Sequence, residues 1–218
     1  MNYGPDHQND ALADWLRIRA EISWPRWSGG LPVAEPPPLD GFRDFFTATR
    51  GARDAEGTAR VLTALDRALG DAEQGVQLTF TLMANWQRIV LYRDAVAFRT
   101  MPAFAKGGRE HYGLAPDTHA RFELCLAESS RPDLPLPSRA ARTYLDVLFF
   151  HPFEDGNARA AILALAFVLA REGVHLDQVH PLQVTRWADD AEGAADLAVL
   201  LGILITAAER RLSNGSRA

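Results

Sequence analysis

Two apolar, helix-forming stretches on either side of a short polar interruption constrain this chain more than any other feature. The first runs from Arg139 to Phe150 and the second from Ala160 to Ala170. Both are too apolar to lie on a surface, so each must be buried against other elements. Between them stands His151-Pro152-Phe153-Glu154-Asp155-Gly156-Asn157-Ala158-Arg159. A loop anchored at both ends by buried helices has its backbone fixed by packing, and fixed polar loops are where function is built.

The residue types in the loop define a chemistry. Gly156 permits an unusual backbone just ahead of a helix, and Asn157 is a good N-cap, so a helix should start at Asn157 or Ala158. Its first N–H groups would point into the loop and favour an anion, helped by the helix dipole. Arg159 in the first turn opposes that dipole, and binding a phosphate would explain it. His151 enters from the opposite side as a candidate base. Asp155 offers a hard oxygen suited to Mg²⁺, and Phe153 should plug inward. A base, a metal ligand, an anion nest and a guanidinium together describe phosphoryl or nucleotidyl transfer.

The rest of the chain sets bounds. Its 218 residues, 47% apolar, can bury a large core, and a net charge of −5 without a basic stripe argues against a nucleic-acid partner. Lys106 is the one lysine among many arginines, which reads as coding bias. Cys125, the one cysteine, sits on an apolar face and reads as a buried thiol. No signal-peptide pattern opens the chain, and the apolar run Leu197–Ala208 is short for a bilayer, so a cytoplasmic protein without a membrane partner is expected.

Periodicity predicts seven or eight helices and one short β element, a mainly α (all-α) fold. Helices are expected over 11–22, 40–50, 54–69 (stopped by Gly70), 76–91, 116–126, 138–150, 157–171 and 189–211. Residues 1–10 read as frayed and 213–218 as a polar tail. Trp24 and Trp27 should dock a connector that contains Gly29-Gly30 and Pro36-Pro37-Pro38. Tyr92 to Arg99 alternates like a strand, with Val96 and Phe98 on one side. Residues 100–113 read as a loop or hairpin, with His111-Tyr112 solvated in it. His175, Asp177 and His180 read as loop residues, not as a metal site. The division expected is an N-terminal helical extension over 1–75, a core over 76–175 and a C-terminal helical extension over 176–218.

The loop resembles the signature of the Fic (filamentation induced by cAMP) family, His-x-Phe-x-(Asp/Glu)-Gly-Asn-Gly-Arg-x-x-Arg. His151, Phe153, Asp155, Gly156, Asn157 and Arg159 match it, and a wider resemblance covers about 78–172. The resemblance implies a helical core with a short β-hairpin flap that aligns a target by strand addition. It implies transfer of AMP from Mg²⁺-bound ATP to a hydroxyl, on a protein or a small molecule. Carried over, His151 deprotonates the acceptor and Asp155 holds Mg²⁺. Gly156, Asn157 and Ala158 line the phosphates, with Asn157 counted among the catalytic residues, and Arg159 contacts the departing phosphates.

Two positions depart from the signature. Ala158 stands at its second glycine, where a methyl narrows the approach. Ile162 stands at its second arginine, which removes a charge-assisted contact of roughly 1.5–3 kcal/mol. ATP or another nucleotide therefore stays open as donor. The alternatives are a phosphotransferase or small-molecule enzyme on the same fold, and a non-catalytic nucleotide-binding module. Glu56-Gly57 and Glu192-Gly193 lack the Ser or Thr of the family's inhibitory motif, having Ala52 and Ala188 instead. Inhibition, where it exists, would then come from a separate antitoxin-like chain.

Overall fold

The computed structural model describes residues 10–27 and 39–215, without the side chains of 50 and 212–215. The expectations for residues 1–9, Gly29-Gly30, Pro36–Pro38 and 216–218 lie outside the described residues. Eight helices follow in order among the described residues: α1 Ala11–Glu21, α2 Gly41–Arg50, α3 Ala55–Glu73, α4 Phe80–Leu91, α5 Thr118–Ala127, α6 Leu136–Phe150, α7 Asn157–Arg171 and α8 Ala191–Gly215. A hairpin of β1 Ala103–Ala105 and β2 Glu110–Tyr112 sits between α4 and α5. The fold is mainly α, as its apolar periodicity implies.

The helices start where their caps dictate. Asp10 accepts from the Leu12 N–H at 3.0 Å, and Asp40 accepts from Phe42 and Arg43. Asp54 accepts from Gly57, and Thr79 from Leu82 at 3.1 Å. Each satisfies a backbone donor that the first turn leaves unpaired.

The centre is the pair α6 and α7, which pack on each other. Thirteen residues of α6 and eleven of α7 are buried. Helix α7 packs on α3 and α4 as well, while α8 and α1 cover α6. Alanines at 160, 161, 164 and 166 keep α7 thin enough to be enclosed on several sides. One apolar cluster draws buried residues from each of the segments 1–75, 76–175 and 176–218. Helix α1 is tied down by polar groups too: fully buried Asp146 of α6 accepts from Trp15 Nε1 at 2.9 Å and from Arg19 at 2.7 and 2.9 Å.

Four expectations need correction. Residues 92–99 form no strand, and Tyr92 closes α4 in left-handed backbone with φ 53°. Val96 and Phe98 do face inward, yet Phe98 packs on His119, Phe80 and Phe122 and no neighbouring strand pairs with the segment. Gly70 does not end α3, which continues to Glu73 because buried Asp71 accepts from Trp86 Nε1 at 2.8 Å. Helix α4 begins at Phe80 and not at Val76, since the Phe80 N–H is taken by Glu123 at 3.1 Å. Finally, α8 over Ala191–Arg211 is long and apolar enough to cross a membrane by length and composition. Counting the run Leu197–Ala208 alone missed this. Its burial is one-sided, through Ala194, Leu197, Ala198, Leu201 and Ile205 against the body, which is the pattern of a core helix.

Candidate functional site

The polar loop joins the end of α6 to the start of α7, and both ends adopt left-handed backbone. His151 has φ 49° and ψ 53° and closes α6, its N–H donating to Val147 O. Such a conformation is unusual for a non-glycine residue and turns the chain sharply out of the helix. Gly156 has φ 80° and precedes α7. A Cβ there would lie 2.2 Å from Gln87 Nε2 and 2.9 Å from an Arg159 terminal nitrogen, so only glycine fits.

Asn157 is the first residue of α7 and not its cap. Its buried amide accepts from the Phe153 N–H at 2.9 Å and donates to the Phe153 carbonyl at 2.8 Å. The side chain thus closes the loop on itself, and Asn157 offers the helix start its backbone N–H alone. No side chain caps α7, which leaves its first turn available to an anion. Phe153 is fully buried and stacks on Phe80 at 5.3 Å. Ala158 is exposed at the mouth, while Ile162 is 5% exposed and belongs to the apolar core.

His151 is half-buried. Its Nδ1 lies 3.2 Å from Leu148 O. With Nδ1 carrying the proton, as that carbonyl requires, Nε2 keeps its lone pair and makes no hydrogen bond among the described residues. Burial, mainly, pushes the imidazole below its ordinary value; the Leu148 carbonyl opposes this, and the Arg99 and Lys106 charges add to it. Neutral imidazole is the form a base needs. Across the loop, the Asp155 side chain is exposed and pairs with Arg159 at 3.3 Å, while one oxygen also accepts from the Gly156 N–H at 2.6 Å. One exposed carboxylate beside a helix N-terminus fits Mg²⁺ shared with substrate phosphates, which needs only one or two protein carboxylates. It does not make a protein-only site, and no metal-binding cluster occurs among the described residues.

Residues distant in sequence hold this geometry, and nothing local announced them. Gln87 of α4, fully buried, donates to Asp155 O at 2.8 Å. Arg99, buried, donates to the carbonyls of Phe150, Met101 and Gly113, and its N–H donates to Pro152 O at 2.9 Å. Tyr112 is not solvated as expected: it is buried in β2 and stacks on His151 at 5.1 Å. On the α4 side, a groove of about 400 Å³ lined by Arg67, Asn85, Arg88 and Arg93 abuts the loop, Arg93 reaching Glu154 at 3.4 Å. Elsewhere, an apolar groove of about 550 Å³ between Trp27 and α8 is lined by no carboxylate or imidazole. His180 pairs with Asp44 and Asp177 with Arg211, so those two do not converge. Cys125 is buried, and burial pushes its thiol up, which suits a structural role.

A helical body, a small hairpin beside a base, and an anion-ready helix start define a domain of the Fic type. Residues 76–169 match the model of the Fic/DOC family. The solved structures agree in fold. A Fic domain-containing signaling protein from Bacteroides thetaiotaomicron aligns with 20% identity and a TM-score of 0.53, covering 78% of this chain and 77% of that one. IbpAFic2 covalently tethered to Cdc42 aligns with 13% identity and a TM-score of 0.57, over 88% and 70%. A variant of IbpAFic2 in complex with adenylylated Cdc42 aligns with 14% identity and the same TM-score, over 92% and 70%. A comparison with curated proteins gave no match.

Proposed function

We propose that the chain is a Fic-type transferase that moves a nucleotidyl group, AMP in the first instance, from a Mg²⁺-bound nucleotide to a hydroxyl on a protein. The observation that carries the reading is one short loop with His151, its Nε2 without a hydrogen bond among the described residues, at one end and the uncapped start of α7 with the Asp155–Arg159 pair at the other. The acceptor oxygen attacks the α-phosphorus as the bond to the leaving pyrophosphate breaks, and His151 Nε2 takes the hydroxyl proton. N–H groups at the α7 start stabilise charge on the α-phosphate, and Arg159 faces the departing phosphates. Mg²⁺, held by Asp155, would neutralise charge on those phosphates.

A protein acceptor is favoured by the hairpin. Among the described residues β1 pairs with β2 alone, and Phe104 of β1 and Met101 just before it are 58% and 70% exposed. An open edge beside apolar side chains suits an extended peptide added as a third strand. The neighbour bound to adenylylated Cdc42 supports the same kind of acceptor. Burial of Ile162 supports a second reading, a donor with fewer terminal charges than ATP.

The test is incubation with cell protein and, in turn, ATP, GTP, UTP, CTP and CDP-choline, read by intact mass. An adduct of donor-specific mass is expected, absent with His151→Ala. No adduct with any donor, or an undiminished one from His151→Ala, removes the proposal.

A further inference from the structure

The His151 ring is held from two directions. Leu148 O fixes its edge at 3.2 Å, and the Tyr112 ring covers its face at 5.1 Å with the planes 18° apart. Alternation along β2 puts Glu110 and Tyr112 on the inner face, both buried, and turns His111 outward against Phe104. The Tyr112 hydroxyl donates to Glu110 Oε2, and the Lys106 ammonium from the hairpin turn pairs with the same oxygen. Glu110 Oε1 accepts from the Ala188 N–H at 2.9 Å. The Lys106 ammonium also lies 4.4 Å from the Trp187 ring and 5.3 Å from that of Phe149. One carboxylate therefore gathers the hairpin turn, the strand and the approach to α8 behind the ring that covers the base.

Holding down a hairpin does not require a buried ion pair, because apolar residues of similar size generally do so at no loss of stability. What a carboxylate adds is direction: it fixes one rotation of the phenol. We propose that Glu110 and Tyr112 are positioning residues for His151, the carboxylate locking the phenol and the locked ring holding the imidazole with Nε2 toward the loop. The proposal rests on the transferase reading for its kinetic arm only, since the geometry of the ring can be observed without turnover. The charged groups facing His151 are Arg99 from the segment after α4, Lys106 from the turn and Glu110 from β2.

The experiment is ¹⁵N NMR of the histidines in the full chain, with His151 assigned by His151→Gln. In the unsubstituted protein His151 should be protonated on Nδ1 and titrate below the ordinary imidazole value. Tyr112→Leu should raise the midpoint toward about 6.5 and mix the tautomers. It should also lower kcat about 100-fold, the scale of a 1 Å misplacement, with KM for the donor within about twofold. Tyr112→Phe keeps the ring but removes the lock, and should mix the tautomers with a smaller loss of kcat; it carries the test if Tyr112→Leu does not fold. A changed tautomer without any turnover supports the positioning role and counts against the transferase reading alone. A His151 tautomer and midpoint unaltered in folded Tyr112→Leu, or in Tyr112→Phe where only that folds, overturns the proposal.

Discussion

Gly156→Ala tests whether the loop is as tightly determined as its contacts imply. The residue sits at φ 80°, where a side chain costs about 1–2 kcal/mol. The added Cβ would meet Gln87 Nε2 at 2.2 Å, so Gln87 must swing away and give up its bond to Asp155 O. That bond contributes about 0.5–1.5 kcal/mol. The sum is about 1.5–3.5 kcal/mol, or a Tm lower by about 3–14 °C for a chain of this size. The assay is urea unfolding of four proteins: unsubstituted, Gly156→Ala, Gln87→Ala and the double variant. With Gln87 already truncated, the new methyl meets no amide, and the double variant should be about 1 kcal/mol more stable than the sum of the single losses predicts. Losses that simply add would show that Gln87 does not brace the loop. A Gly156→Ala loss under about 0.5 kcal/mol would show that the left-handed turn is not retained in solution.

Burial keeps His151 neutral at pH 7, so the transfer rate should be level through neutrality and fall only below about pH 6.5; an acidic limb above that value contradicts the assigned base. The same depressed imidazole binds its proton more readily in the unfolded chain, so stability should drop as pH falls through that range, and the drop should shrink in His151→Gln. Asp146→Ala leaves the buried Trp15 N–H without its acceptor and the Arg19 guanidinium with Glu128 alone, and should lose about 3–5 kcal/mol in urea unfolding; a loss below about 1 kcal/mol would mean that Glu128 and water take over. Asp155→Asn changes an exposed side chain, so stability should move by no more than about 0.5 kcal/mol while the Mg²⁺ dependence of transfer disappears; an unchanged Mg²⁺ titration would remove Asp155 as the ligand.

Much of the helical framework can be read from the chain because α6, α7 and α8 bury residues at positions their own periodicity marks. Where local reading errs, a distant partner has decided the outcome. Helix α3 passes Gly70 because Trp86 offers Asp71 an indole N–H, and α4 loses its expected first turn because Glu123 claims the Phe80 N–H. The strand-like alternation of 92–99 is realised only at Val96 and Phe98; residues 92–95 are all exposed and Arg99 is buried beside Phe98. A strand also needs a neighbour, and alternation carries no information about whether one exists.

The loop divides in the same way. Residue types proposed His151, Asp155 and Arg159 together; in the structure Asp155 pairs with Arg159 at the start of α7, while His151 closes α6 at the other end of the loop. Asn157 was legible as a helix-start residue but not in its use. A cap bonds forward into the helix, whereas Asn157 bonds backward to Phe153 and holds the preceding turn. Gln87, Arg99, Glu110 and Tyr112 were not legible, since each is unremarkable among its neighbours and gains meaning only across the fold. A weak trace exists for Gln87, a polar residue between Trp86 and Val90 on an otherwise buried face. The backbone of the loop is thus consumed by its supports: Pro152 O by Arg99, Phe153 by Asn157 and Asp155 O by Gln87. What those supports leave at the surface is His151 Nε2, the Asp155 carboxylate with its Arg159 and Gly156 partners, and the uncapped start of α7, and that remainder is what group transfer requires.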